Sequence, residues 1–298
     1  MIATQKSIEG IIVKGIGGFY YVSTPQGTVE CHARGKFRKD ELSPIVGDYV
    51  SLLLNPEGTG SICKIHERRN FLIRPGVSNV DALVLVSALR SPMPDFLLID
   101  KLLVTAASKG IEGIICLNKT DLAANEEEAE SFCEIYRKAG YHVIAASAKT
   151  GEGVKEIQSL IKGRTVAFAG LSGVGKSSLL KRITGADLQV GSVSRIERGK
   201  HTTRHVELIA AAGGYVFDTP GFSRLEADTL RASDLWQYFP EIMPLHGTCR
   251  FRTCNHIGEP GCSVKEAVDG GSIAQNRYES YIEIYNKLKD IKDWERKD

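Results

Sequence analysis

Nothing in this 298-residue chain approaches the roughly 18 to 20 consecutive apolar residues of a membrane helix. The longest candidate, residues 80–89, falls far short, so no membrane partner is expected. The first twenty residues carry Glu9 and scattered glycines where a signal peptide would have an unbroken apolar stretch, which predicts a cytoplasmic protein. An excess of one charge is missing as well. Thirty-eight basic against 36 acidic residues leave a net +2, and the segments 1–69, 70–222 and 223–298 each stay near neutrality. Any contact with RNA must then come from local patches, not from a global field. There is no internal repeat and no low-complexity segment. The seven cysteines also lack the even, regular spacing of a disulfide framework. Cys249, Cys254 and Cys262 crowd together, which points to a metal site, while Cys31, Cys63, Cys116 and Cys133 are scattered as packing residues.

What is present begins with 42% apolar and 25% charged residues, ordinary for a globular chain, in a length that suits two or three domains. Residues 1–66 read as five short strands (8–13, 19–23, 28–33, 48–53 and 61–66) punctuated by Gly17-Gly18, Pro25-Gln26-Gly27 and Pro56-Glu57-Gly58. Five such strands suit a small closed barrel of the oligonucleotide-binding (OB) type. The connection after the third is basic, with Arg34, Lys36, Arg38 and Lys39 around Phe37. Charge for phosphates and a ring for unstacked bases are what an RNA-binding surface needs, although a solvated loop has the same composition.

From about residue 67 to 225 the texture changes. Residues 80–89 and 111–117 are nearly continuous apolar runs, as in strands buried on both faces. Between them 95–109 has helical periodicity, with Asp95 as N-cap. Helices are expected over 126–139, 154–162 and 175–184, and strands over 141–146, 165–169, 206–210 and 215–217. This alternation predicts a doubly wound α/β domain. Residues 226–298 are Cys/His-rich and then mainly helical, with an amphipathic helix over 278–289. There Trp236, Tyr238 and Phe239 read as a hydrophobic joint.

The strongest motif is G-x-x-x-x-G-K-S, formed by Gly170, Leu171, Ser172, Gly173, Val174, Gly175, Lys176 and Ser177, with Ser178 following. It leaves an apolar strand and opens a helix, the context of a phosphate-binding loop. Its amides and the helix dipole suit a phosphate, Lys176 would reach the β and γ phosphates, and Ser177 would hold Mg2+. Asp218, three residues before Gly221, ends another apolar strand and suits the Mg2+ and γ-phosphate side. Asn118, Lys119, Thr120 and Asp121 follow the strand 111–117. A carboxylate there can accept from guanine N1–H and N2–H together, a pairing that adenine does not offer. Ser147, Ala148 and Lys149, after the next strand, would add a backbone contact to the guanine carbonyl. The nucleotide expected is GTP, with GDP as product. Cys249, Cys254, His256 and Cys262 offer three thiolates and one imidazole, a closed four-ligand set for one structural Zn2+.

The motif order is unusual. The guanine motifs (118–149) precede the phosphate loop (170–177), which precedes Asp218 and Gly221. That order is a circular permutation, acceptable where termini lie at the surface. With it, the whole chain resembles the circularly permuted ribosome small-subunit-dependent GTPase A family, and its Cys/His spacing looks like that family's motif. The resemblance implies an N-terminal OB barrel (1–66), a permuted GTPase domain (67–225) and a zinc-binding domain (226–298). It also implies a monomer that binds the 30S ribosomal subunit and its 16S rRNA, assists late 30S maturation and hydrolyses GTP when the 30S stimulates it. By the family's G-x-H-T-T pattern Thr203 would bind Mg2+, with Thr202 as the alternative. Where Ras-like proteins place a water-orienting glutamine, this chain has Phe222, and the resemblance moves that catalytic task to His201. Two other readings compete: an RNA-binding regulator that uses GTP as a ligand without significant turnover, and a metabolic phosphotransferase. The guanine motif argues against the second.

Overall fold

The computed structural model describes residues 7–33, 43–73, 75–185, 206–218 and 230–292. The chain divides into two compact units, one of Met1–Ala82, Gln158–Phe168 and Ile183–Phe222, the other of Leu83–Ile157, Ala169–Arg182 and Ser223–Asp298.

In the first unit, β1 (Ile8–Ile16), β2 (Phe19–Thr24), β3 (Gly27–Ala33), β4 (Tyr49–Leu54) and β5 (Gly60–Ile65) pair in the order β1-β2-β3-β5-β4. β4 closes back on β1. All these pairs are antiparallel except β3 with β5. The inward alternation buries Ile12, Val22, Cys31, Leu52 and Ile62 completely, the packing expected for Cys31. Two three-residue strands, β6 (Phe71–Ile73) and β7 (Gly76–Ser78), form a hairpin that the sequence does not announce. Each is too short to show a period of two. A buried carboxylate fastens this region. Asp48 accepts from Arg68 Nε and Nη2 at 2.7 and 2.8 Å, from Ser78 Oγ at 2.7 Å and from the Ile45 amide at 2.9 Å. Within the same unit β11 (Thr165–Ala169), β13 (Gly214–Asp218) and β12 (Glu207–Ala211) follow one another, and β12 pairs with β1.

The second unit contains β8 (Ala82–Ala88), β9 (Glu112–Asn118) and β10 (His142–Ala145), in the order β10-β9-β8. β8 is buried along its entire length, as its unbroken apolar run requires. α1 (Phe96–Ser108) connects β8 to β9. Its N-cap is Asp95, whose carboxylate accepts from the Leu98 amide at 2.9 Å. α2 (Glu126–Lys138) connects β9 to β10, capped by Asn125, with three glutamates in its first turn and basic residues in its last. α3 (Val154–Ile161) and α4 (Lys176–Thr184) flank β11 in sequence. Cys116 and Cys133 are buried and Cys63 is partly buried, all with free thiols.

Residues 230–292 build a core from Leu235, Phe239, Ile242, Val264, Ile273, Tyr281, Ile284 and Leu288, against which Trp236 and Tyr238 pack. Its helices are α5 (Ser263–Asp269) and α6 (Gln275–Asp290). α6 starts three residues before the expected 278 because its first turn carries Arg277, a charge where an apolar stripe would be sought. Arg277 is buried to 1% exposure. It donates Nε and Nη2 to Glu241 at 2.7 and 3.1 Å and Nη1 to Asp100 on α1. Its guanidinium carbon also lies 4.6 Å from the Phe239 ring centroid and 5.3 Å from that of Tyr141. Burial works against this charge, but the two carboxylates outweigh it and raise the Arg277 pKa further. No helix among the described residues is long and apolar enough to cross a membrane.

Replacing Arg277 with alanine strands two buried carboxylates and is expected to destabilise the protein by about 3–5 kcal/mol. Adding Asp100→Asn to that variant should recover part of the loss. Urea unfolding measures both, and a loss below about 1 kcal/mol for the single variant would contradict this account.

Candidate functional site

β11 is buried throughout and delivers the chain into residues 170–175, which turn into α4. Two glycines are dictated by space as well as by backbone angle. Gly170 has φ +141°, and a Cβ there would lie 2.1 Å from the Val86 carbonyl oxygen. Gly175 has φ +93°, and a Cβ there would lie 2.3 Å from Asn118 Nδ2. Gly173 is left-handed as well (φ +83°), but the space beside it is open apart from Pro92 at 3.7 Å. Val174 is buried, Leu171, Lys176 and Ser177 are half-buried, and Ser172 and Ser178 are exposed. Lys176 Nζ donates to the carbonyls of Gly170 and Leu171, each at 2.7 Å. Burial lowers its pKa.

Asn118 ends β9 with its side chain buried. Its Nδ2 donates to the Val174 carbonyl at 2.7 Å, and its Oδ1 accepts the Ala148 amide at 3.0 Å. One carboxamide thus joins the 170–175 loop to the 147–149 loop. Lys119 takes a left-handed backbone (φ +63°) and sends Nζ to the Ser91 carbonyl. Thr120 Oγ1 contacts the Ala146 carbonyl at 3.0 Å and Glu152 Oε2 at 2.8 Å. Asp121 accepts from Ser147 Oγ at 2.6 Å, and Lys149 Nζ lies 3.6 Å from its other oxygen. The Ser147 hydroxyl is the main reason that the Asp121 carboxyl sits below the usual carboxylate range. These contacts tie the 118–121 segment to the 147–149 loop. Arg182 on α4 completes it, donating to the carbonyls of Ala148 (2.9 Å) and Lys149 (2.7 Å).

Elsewhere, the donor atoms of Cys249, Cys254, His256 and Cys262 all lie within 4.8 Å of one another. His256 Nδ1 is 3.5 Å from both Cys249 Sγ and Cys262 Sγ, while its Nε2 is 3.1 Å from His246 Nδ1. Trp236 stacks flat on His246, 3.7 Å between centroids. Burial lowers the His256 pKa, which favours the neutral ring that a metal requires. The loop owes its shape to Glu259, which accepts the amides of Asn255, Ile257 and Gly258 at 2.8–3.0 Å. Burial opposes the Glu259 charge, yet these amides bring its pKa down to about 2. Tyr278 and Tyr281 donate to the carbonyls of His256 and Asn255. Three sulfurs and a nitrogen converging in this way are compatible with zinc.

Comparison with known proteins places this geometry. The sequence model of the RsgA GTPase matches residues 65–228, and that of the RsgA N-terminal domain residues 9–62. The chain belongs to the RsgA GTPase family. The small ribosomal subunit biogenesis GTPase RsgA of Caldanaerobacter subterraneus subsp. tengcongensis is 45% identical over 289 residues, covering 96% of this chain and 97% of the relative. Its namesake in Ruminiclostridium cellulolyticum is 45% identical over 295 residues, covering 97% and 96%. The crystal structure of YloQ, a circularly permuted GTPase, superposes with a TM-score of 0.83 at 36% identity, covering 98% of both chains. YjeQ from Thermotoga maritima gives the same TM-score and identity over 96% of this chain and all of that one.

As an RsgA GTPase the chain is a GTP-hydrolysing enzyme, and its fold is a circularly permuted GTPase with an N-terminal five-stranded barrel and a C-terminal Cys3His cluster. Asp218 closes β13. Thr202, Thr203, His201, Gly221 and Phe222, like the basic stretch 34–39, lie outside the described residues. Sequence reasoning missed Arg182, Glu152, His246 and Glu259. Arg182 and Glu152 meet partners more than thirty residues away, and Glu259 lies inside the Cys/His spacing without being a ligand type that the motif calls for. Gly175→Ala and Gly170→Ala should each lower the stability of the nucleotide-free protein by at least about 2 kcal/mol, and Gly173→Ala by less. Thermal unfolding of the three variants checks the order; equal losses would show that backbone angle alone matters.

Proposed function

We propose that this GTPase acts in the biogenesis of the small ribosomal subunit by binding the 30S particle, which stimulates its hydrolysis of GTP and thereby its release. The observation that carries this reading is the 45% identity, across nearly the whole chain, to relatives named small ribosomal subunit biogenesis GTPases. In it residues 1–66 and 226–298 grip 16S rRNA, and residues 67–225 are the switch. The protein works as a monomer in the cytoplasm.

Asp121 reads guanine N1–H and N2–H, aided by the pairing of its carboxylate with the Ser147 hydroxyl. Asn118, Lys119 and Thr120 frame the base, and the 147–149 backbone meets its carbonyl. Residues 170–178 hold the phosphates, with Lys176 released from the Gly170 and Leu171 carbonyls onto phosphate oxygens. Ser177, Thr203 and Asp218 are the residues that would hold Mg2+, which neutralises charge on the phosphates when bound. Gly221 offers its amide to the γ-phosphate, and His201 orients the attacking water in place of the missing glutamine. The Cys3His set would hold a structural Zn2+, which ties together a C-terminal region with a small core.

Phosphate release from GTP is expected to rise at least about tenfold with purified 30S subunits and not with 50S subunits. His201→Ala should remove the stimulation while GTP still binds. Absent stimulation with tight GTP binding would overturn the ribosomal reading in favour of an RNA-binding regulator. Elemental analysis should find one zinc per chain, lost in Cys254→Ser together with the fold of residues 226–298; a zinc-free yet folded C-terminal region would overturn the metal assignment.

A further inference from the structure

Arg182 lies on the surface of α4, where an arginine ordinarily meets solvent or a carboxylate. Here its planar fork reaches two successive backbone carbonyls instead, Nε to Ala148 O at 2.9 Å and Nη2 to Lys149 O at 2.7 Å. Because each peptide unit is planar, holding these two carbonyls also sets the direction of the following amides, those of Lys149 and Thr150. The neighbouring groups are already engaged. The Ala148 amide goes to Asn118 Oδ1 at 3.0 Å, the Thr150 amide to Ser147 Oγ at 3.2 Å, and the Gly151 amide to the Ser147 carbonyl at 2.8 Å. Arg182 therefore supplies the outer half of a clamp on residues 147–149, and Asn118 the inner half. It reaches the loop from the helix that opens with Lys176, so one rigid element carries the phosphate contact at its start and the loop anchor near its end. In this segment the base-facing groups are backbone, so their aim depends on what fixes the peptide planes.

We propose that Arg182 is a specificity-determining positioning residue: its grip on the Ala148 and Lys149 carbonyls aims the 147–149 backbone at the C6 oxygen of guanine. The inference rests on the reading that this loop meets the guanine carbonyl. Asp121 reads N1–H and the 2-amino group, which lie on the same edge of the base as the C6 oxygen but are different atoms, so the two contacts are separable by nucleotide analogue. Inosine diphosphate lacks the 2-amino group that Asp121 reads and keeps the C6 oxygen. 6-Thioguanosine diphosphate keeps N1–H and the 2-amino group and changes only the acceptor at C6.

The test measures the affinities of GDP, inosine diphosphate and 6-thioguanosine diphosphate for the full-length protein and for Arg182→Ala and Arg182→Lys. The expected result is that both variants lose at least about threefold of the preference for GDP over the 6-thio analogue, while the preference over inosine diphosphate stays within about twofold. Lysine fails like alanine because it keeps the charge and loses the fork. An unchanged 6-thio preference in Arg182→Ala overturns the proposal. So does an equal loss for all three nucleotides with a lowered melting temperature, the signature of a merely structural residue. Failure of the underlying reading looks different: the unsubstituted protein would then show no preference for GDP over 6-thioguanosine diphosphate.

Discussion

The site depends on one buried carboxamide. Asn118 cannot solvate its amide or its carbonyl in water, so both must be satisfied by protein, and the partners available are the backbone of two loops. Its donor holds the 170–175 loop at Val174 and its acceptor holds the 147–149 loop at Ala148. Neither loop has regular structure at these points, so the crosslink helps to fix the path of both. Gly175 is glycine for the same reason, since a methyl group there would occupy the space of Asn118 Nδ2.

That dependence explains why permuted motif order leaves the site intact. The contacts that assemble it are non-local: 56 residues separate Asn118 from Val174, and 30 separate it from Ala148. What matters is that each loop leaves the end of its strand beside the others, not which strand is made first. Permutation changes what is attached after Asp218. In this chain the segment following β13 leads into residues 230–292, whose core reaches α1 through Val104 and through the Arg277–Asp100 pair. A buried ion pair is a poor source of stability but a strict one for register, because a misplaced partner leaves a naked charge.

The Cys3His loop follows the same logic at smaller scale. Its backbone is held by one carboxylate, Glu259, that collects three amides, and by two tyrosine hydroxyls from α6. His256 sits in a left-handed conformation (φ +64°), a strained position for a residue with a Cβ, tolerated because this frame defines it. The Trp236–His246 stack covers the far side of the ring.

Periodicity and local motifs carried most of the architecture. The five barrel strands, the buried runs that become β8 and β9, and the Asp95 cap of α1 were legible because they depend on neighbours within a few residues. The glycine-rich turn at 170–175, with its left-handed glycines, and the convergence of the Cys3His set were legible too. The β6–β7 hairpin was not, being shorter than the pattern that would reveal it, and neither was the start of α6, where a buried arginine interrupts the apolar stripe. The sequence by itself thus determined the fold class, the motif order and the ligand types. Only the tertiary structure decided that Arg182 grips the 147–149 loop, that Asp100 and Glu241 share Arg277, and that Glu259 shapes the Cys3His loop. Each joins groups remote in sequence or lying in irregular loops, and such pairings exist only once the fold has brought the polar atoms together.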